Sequence, residues 1–368
     1  MDLKKTPLIN EHERLGAKLA PFGGWFMPIQ YSGIISEHNW TRTEASIFDI
    51  CHMGEFIICA DADKSGFNKI VTFDLNAIKP FECRYGFMLN DTGGILDDII
   101  VYRIADRRWM VVANAATIES DEAHFRKHLA PGTDFKNVSA MLGKIDLQGP
   151  KSLDVIRRLV APGVADLGYY KFGHFDLLGE KIIISRTGYT GELGFEIYIS
   201  NDKVAELWNI LLKDTTVKPA GLGARDTLRL EMTYPLYGQD ITTETTPIEA
   251  GKARFVDLKK DFIGRSALMK NSDPSRRLIN FIAKSRRAPR HNYGIFSGGK
   301  RVGIVTSGSF SPSLSCGIGM GYVDAPFSVG TEIVLKENDV EIIATVTKGP
   351  FYKNGTAKIV EGSHAHTG

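Results

Sequence analysis

The stretch RYGFMLNDTGGILDDIIVYRIADRRWMVVANA, residues 84–115, contains three β-rich runs. The first two, RYGFMLN and ILDDIIVYRI, are joined by DTGG, whose Asp and Gly residues suit a tight hairpin, and RRWMVVANA follows as a third. An antiparallel meander is predicted. In its middle run two adjacent carboxylates, Asp97 and Asp98, stand among isoleucine, leucine, valine and tyrosine. Side chains alternate along a strand, so Asp98 shares a face with Ile100 and Tyr102, and Asp97 shares one with Ile99 and Val101. The two acids therefore cannot do the same job. Either alone could be solvated or paired with a basic residue such as Arg84 across the hairpin. Both together are costly among β-branched residues unless paired or hydrogen-bonded, and such a place is where a shifted pKa or a cationic ligand is expected.

Before this segment, PFGGWFMP (21–28) reads as loop, and GIISEHNWTRTEASIFDI (33–50) has helical apolar spacing, predicting a helix that delivers its end to His52 and Met53. After it, IDLQGPKSLDVIRRLV (145–160) suggests a strand, a Gly-Pro turn and a helix. EKIIISRTG and GFEIYIS form a further strand pair joined through YTGEL. Two helical runs follow, VAELWNILLKD and PAGLGARDTLRLEMTYP, the second ended by Pro235. No regular βαβ alternation appears, so the expected class is α+β with mixed, largely antiparallel sheets. NSDPSRR (271–277) marks a boundary. Beyond it, short strands and Gly/Ser/Pro turns predict a small β-barrel or sandwich.

The chain has 368 residues, with 45 Lys plus Arg against 43 Asp plus Glu and a formal net charge of +2, so no global field draws in nucleic acid or a membrane surface. A small ligand or a protein partner fits better. The amino terminus turns polar at once, and no stretch approaches the roughly 18 apolar residues of a membrane span, so a soluble, cytoplasmic protein is expected. Four cysteines, none in C-x-x-C, read as buried thiols. Cys51 and His52 are adjacent but would point to opposite faces of an extended segment. No H-E-x-x-H occurs, and His364 and His366 lie in the tail EGSHAHTG, so no metal site is predicted.

Two more constellations carry possible chemistry. SRTGYTGELGFEIY (185–198) has Gly188, Gly191 and Gly194, the wrong spacing for a dinucleotide-binding G-x-G-x-x-G, and leads into a strand. What remains is a flexible turn presenting Tyr189, followed by Glu196 inside an apolar strand. An inward glutamate can accept two parallel hydrogen bonds from a planar amidine-like group such as the 2-amino and N3 edge of a pterin. An ion pair with a nearby arginine is the other reading. In GLGARDTLRLEMTY (221–234), Arg225 and Arg229 share a helical face and Asp226 can pair with Arg229 at i+3. Arg225 is then the freer of the two for an anionic or carbonyl-bearing ligand, or it lies on a solvated face.

Taken together these stretches resemble the aminomethyltransferase family, the T-protein of the glycine cleavage system. The matching text includes TPLINEHERLGAKLAPFGGWFMPIQY, FDICHMGEF, GGILDDIIVY, VVANAATIESD, LQGPKS, SRTGYTGELGFEIY, PAGLGARDTLRLEMTYPLYGQD, DFIGRSAL, VTSGSFSPSL and KGPFYKNGT, nearly end to end. The resemblance implies a three-domain cloverleaf around a channel for tetrahydrofolate. It divides the chain into a folate-binding region, 1–270, made of two intertwined α+β domains of approximately 1–140 and 141–270, and a C-terminal β-barrel, 278–368. It implies transfer of the one-carbon unit from S-aminomethyldihydrolipoyl H-protein to tetrahydrofolate, with a lipoyl group supplied by the H-protein. Carried over by position, Asp98 matches the essential carboxylate, Glu196 the pterin-recognising glutamate and Arg225 a folate-contacting arginine. Met53, Tyr85, Asn114, Tyr189, Tyr234 and Tyr352 match positions around the ligand.

The chain departs from the family pattern in PIEAGKARFVDLKKDFIG, where Lys252, Arg254 and Phe255 stand in a segment in which many relatives carry tryptophan, and at Lys353, where arginine is common. A folate-dependent demethylase of the same fold is the alternative enzyme, and a non-catalytic folate-binding protein of iron-sulfur assembly a third reading, though its K-G-C-Y-x-G-Q-E signature is absent. The basic runs SRR (275–277) and RRAPRH (286–291) would suit an acidic carrier, or are solvated surface.

Overall fold

The computed structural model describes residues 3–160, 162–324 and 326–358. His364 and His366 lie outside the described residues. The meander forms as its pattern dictates: strands Cys83–Leu89, Ile95–Ala105 and Arg108–Ala113 lie side by side, extended by Gly54–Cys59 and Asp134–Asn137 into a five-stranded antiparallel sheet. Its hairpin turn is fixed by Asn90, whose side-chain oxygen accepts from the backbone N–H groups of Thr92 and Gly94. Gly93 takes φ +86° there, a conformation that glycine adopts without strain. One face of the sheet carries Ile99 and Val101 into a core with Phe56, Ile58, Trp109 and Phe125. The opposite face carries Ile100 and Tyr102 toward a second sheet.

That second sheet has six strands in the order Phe172–Leu177, Glu180–Ser185, Gly194–Ser200, Leu142–Gln148, Ala45–Asp49 and Val217–Pro219. Only the last pairing is parallel. Residues 45–49 of the first half of the chain thus complete a sheet built mostly from residues after 140. The two sheets meet at Tyr102 and Tyr198, whose rings are edge to face at 5.8 Å and whose hydroxyls lie 2.9 Å apart. A closed six-stranded barrel spans 277–347 and encloses Phe281, Ile295, Val305, Val323, Ile333 and Leu335. The fold class is α+β with a C-terminal barrel.

Two local expectations are corrected. PFGGWFMP is not a loop but the centre of a hairpin, Lys18–Phe22 against Trp25–Gln30, turning at Gly23 and Gly24 with φ of +55° and +85°. The helix expected across 33–50 stops at Thr43, and Ala45–Asp49 is a strand buried along its whole length. A strand covered on both faces need not alternate, and a short run of that kind gives no period to distinguish it from a buried helix.

The barrel is tied to the rest by a buried polar knot. Glu231, at the end of helix Leu222–Glu231, accepts from Ser311 Oγ at 2.5 Å and Ser313 Oγ at 2.8 Å on the barrel side. Arg42, from helix Ile34–Thr43, reaches Glu231 at 2.8 Å and Glu192 at 2.7 Å. Cys51, Cys59, Cys83 and Cys316 are all free thiols. Among the described residues no helix is long and apolar enough to cross a membrane.

Candidate active site

Where the two sheets, the helix Leu222–Glu231 and the barrel converge there is a cavity of about 1620 Å³. The meander contributes Tyr85, Asp98 and Asn114 to its wall, the second sheet Lys144 and Glu196, and the helix Arg225. Met53, Tyr189 and Tyr234 also line it. Eight of the nine residues singled out from sequence therefore share one chamber. The ninth, Tyr352, lies outside the cavity lining: its ring stacks on the Arg42 guanidinium at 4.2 Å, and its backbone N–H donates to Glu231 O. The C-terminal segment lines the chamber at Gly349 and Pro350 and again at Lys358, and between them Tyr352 caps the polar knot instead.

Asp98 opens into the cavity, with Tyr85 donating to Oδ2 at 2.9 Å and Asn114 Nδ2 donating to Oδ1 at 2.8 Å. Burial, and then the neighbouring Asp97 charge, push its carboxyl up to about 7. Asp97 is fully buried on the opposite face and accepts the Asn114 backbone N–H at 2.9 Å and its side-chain amide at 2.7 Å. The ion pair with Arg84 does not form: Arg84 lies opposite Val101, and among the described residues neither acid has an ion pair; Asp97 is sealed from solvent, while Asp98 is part-exposed to the cavity. Hydrogen bonds from Asn114 to both acids, and from Tyr85 to Asp98, stand where an ion pair was expected.

Across the chamber, Glu196 is held mostly by hydroxyls. Thr187, Tyr102 and Tyr198 reach Oε2 at 2.5, 3.3 and 3.4 Å, and Lys144 Nζ lies 3.5 Å from Oε1. The ion-pair partner is thus a lysine, not the arginine that sequence suggested. Burial would raise this carboxyl, but the Lys144 charge and the Thr187 hydrogen bond outweigh it and hold Glu196 below the ordinary range. Glu196 lines the cavity, and its Oε1 keeps acceptor capacity.

Arg225 is not free either. It pairs with buried Asp146 and lies 5.1 Å from the Tyr189 ring. Arg229 is buried and bonds Asp226 and Asp240. The turn carrying Tyr189 is pinned: the ring stacks on Tyr234 at 5.7 Å and its hydroxyl donates to Pro235 O. Its glycines serve packing, since a Cβ at Gly188 or Gly194 would meet the Gln148 amide at 2.2 or 2.1 Å.

Lys144 and Asp146 were missed by sequence reasoning. They occupy alternate positions of GKIDLQ and therefore one face of a strand, the same signal that separated Asp97 from Asp98. In the sheet they stand directly opposite Tyr198 and Glu196. Lys252 also enters the lining, donating to Thr233 O at 3.2 Å, and Phe255 packs edge-on to Tyr85 at 4.8 Å. Burial lowers the Lys252 ammonium to about 8.

Residues 8–260 match the GCVT N-terminal domain family, and residues 276–353 match the glycine cleavage T-protein C-terminal barrel domain family. The chain is 42% identical over 356 residues to an aminomethyltransferase of Halothermothrix orenii, covering 95% of this chain and 100% of that one. It is 40% identical over 359 residues to an aminomethyltransferase of Flavobacterium psychrophilum, with the same coverage of both chains. A solved structure, the glycine cleavage system aminomethyltransferase T from Bartonella henselae, superimposes with a TM-score of 0.90 at 35% identity, covering 95% of this chain and 98% of that one.

Proposed function

The chain belongs to the glycine cleavage T-protein family, the aminomethyltransferases, and we propose that its central cavity is where tetrahydrofolate meets the lipoyl arm of the H-protein. The enzyme transfers the one-carbon unit of S-aminomethyldihydrolipoyl H-protein to tetrahydrofolate, giving 5,10-methylenetetrahydrofolate, ammonia and dihydrolipoyl H-protein. One C–S and one C–N bond break in this exchange, and two C–N bonds form. Protons must leave the accepting nitrogens as they gain carbon.

The observation that carries the site assignment is Asp98: a carboxylate without a cationic partner, oriented by Tyr85 and Asn114, facing a chamber whose far wall holds Glu196. A group held up to about 7 can accept a proton from nitrogen near neutral pH, and its negative charge stabilises cationic character developing nearby. Glu196 Oε1 would receive an N–H of the pterin edge. Met53, Tyr85, Tyr189 and Tyr234 supply apolar and aromatic area for a flat ring. Arg225, already paired with Asp146, acts by fixing that wall. At about 1620 Å³ the chamber exceeds the range of roughly 300–1,000 Å³ that suits one small ligand, leaving room for an arm beside the folate. The described residues of the three units, about 1–140, 141–270 and 278–368, serve as its walls. Arg286 and Arg287, both exposed, belong to a surface suited to an acidic carrier.

The test is turnover with tetrahydrofolate and aminomethyl-loaded H-protein, following ammonia release. Folate binding without turnover above the uncatalysed rate would overturn the assignment of the reaction to this site. Charge reversal at Arg286 and Arg287 with an unchanged apparent affinity for H-protein would remove that docking surface.

A further inference from the structure

Behind the catalytic strand lies a third carboxyl. Asp121, in helix Ile118–His128, is 1% exposed, and its carboxyl is in hydrogen-bond contact with that of Asp97. Its Oδ2 is buried with no N–H or O–H donor aimed at it. Asp97, by contrast, already accepts on both oxygens, from the backbone and side-chain amides of Asn114. Two ionised carboxylates have no proton to place between them, so contact between buried carboxyls requires that one be the acid. Among the described residues no lysine or arginine forms an ion pair with Asp97, Asp98 or Asp121, so three charges in this stack would have no directly paired cation.

We propose that Asp121 is a positioning residue of the active site, a neutral carboxylic acid whose O–H donates to Asp97 and thereby keeps Asp97 the charged neighbour of Asp98. This role rests on the assignment of Asp98 given above. The assignment of the proton to Asp121 follows from the donor count: each Asp97 oxygen already accepts an amide N–H of Asn114 and keeps a second lone pair for another donor, while Asp121 has a bare buried oxygen that becomes satisfied once the carboxyl carries hydrogen. Burial and the Asp97 charge push the Asp121 carboxyl up to about 10, in the same direction. Asp97 in turn is the charge that lifts Asp98, after burial. A residue outside the cavity lining therefore sets the protonation of one within it. The other titratable groups around the stack are Tyr85, Tyr189 and Tyr237, all raised and neutral, and Lys252, whose charge acts on Asp98 across the chamber.

Two measurements test this. The first reads the proton directly: the infrared difference spectrum between the protein and Asp121→Asn at about pH 8.5, above the midpoint of Asp98 and below that of Asp121. A carboxylic-acid carbonyl stretch present in the parent and lost in Asp121→Asn is expected; a parent without it places a carboxylate at Asp121 and overturns the proposal. This arm does not depend on the reaction. The second compares the acid limb of the turnover–pH profile. In Asp121→Leu, Asp97 loses its donor and takes up the proton itself, so Asp98 loses a repelling charge and the limb should move down by about one pH unit. Asp121→Asn retains a donor and should return the limb toward its original position. A limb that stays in place in folded Asp121→Leu, or moves equally in both variants, overturns the proposal. Absence of turnover in the parent would instead remove the reading of the reaction and leave the infrared result standing.

Discussion

Asp97 and Asp98, adjacent in the chain and opposite in facing, are held by a single amide: Asn114 Nδ2 lies 2.7 Å from Asp97 Oδ1 and 2.8 Å from Asp98 Oδ1. The asparagine also gives its backbone N–H to Asp97, so main chain and side chain both anchor on that acid. The buried acid anchors the donor that orients the cavity acid.

Replacing Asp98 by Asn should therefore lower turnover by about 100-fold, within the range that a positioned acid or base contributes. Folate affinity should stay within a few-fold, because the Tyr85 and Asn114 framework remains. Asp97→Asn should show its main effect as lost stability, about 1–3 kcal/mol, since it disturbs fully buried hydrogen bonds. Equal losses of turnover in the two variants, both fully folded, would contradict the split between the faces.

The pH dependence of Asp98 has a definite sign. Its folded value, about 7, lies above the ordinary 3.8, so the fold disfavours its ionised form. The contribution is most favourable below about 3.8 and is lost as pH rises through about 7. Turnover should rise over the upper part of this window as the base forms. Asp98→Asn carries no charge, so it should melt above the parent at about pH 8, with the gap closing by about pH 4. Thermal melts across that range decide it; a gap that widens toward acid would refute the assignment.

Glu196→Gln should weaken folate binding by about tenfold or more, corresponding to loss of a charge-assisted bond of roughly 1.5 kcal/mol or greater. It also leaves buried Lys144 without its carboxylate, so a fall in melting temperature should accompany it. Calorimetric titration with tetrahydrofolate on the folded variant separates the effects, and unchanged affinity would take Glu196 out of the ligand site.

The knot at Glu231 should govern acid denaturation. Burial would raise this carboxyl, but bonds from His38 and Ser311 and the Arg42 charge outweigh it and hold Glu231 at about 2. Its stabilisation is present above the ordinary 4.5 and is lost as pH falls through about 2. Glu231→Gln should cost about 3 kcal/mol at neutral pH, the scale of breaking a buried pair, and the deficit should shrink below about pH 4. Urea unfolding at several pH values measures both. A deficit independent of pH would mean that the lost contacts are not electrostatic.

Lys252 sits in the cavity with a backbone carbonyl as its hydrogen-bond acceptor and without an ion pair among the described residues. Burial of its ammonium is unfavourable, so Lys252→Met should raise stability by about 1 kcal/mol, read as a higher denaturation midpoint. A lower midpoint would show that its bond to Thr233 outweighs desolvation.

The meander, its hairpin, the strand pair around 189–193, the helix 222–231 and the barrel were legible because each rests on local periodicity and turn chemistry. The buried strand 45–49 was not, because a short run covered on both faces has no period to read. The hairpin 18–30 was obscured by two glycines and two prolines that suggest loop until the paired partner is seen. At the site, the same alternation that separated Asp97 from Asp98 would have exposed Lys144 and Asp146 had it been applied to GKIDLQ.

By itself, the sequence determined that the two carboxylates face opposite ways, since alternation in a strand is a property of two consecutive residues. It did not determine what either acid meets. Asn114 and Asp121 come from further along the chain, Asp146 claims Arg225 from 79 residues away, and Lys144 reaches Glu196 across neighbouring strands. The charge state of a buried group depends on desolvation and on partners brought close by packing. Only the tertiary structure could decide that Asp98 is the acid open to the chamber and poised near neutral pH, while Asp97 is sealed behind it.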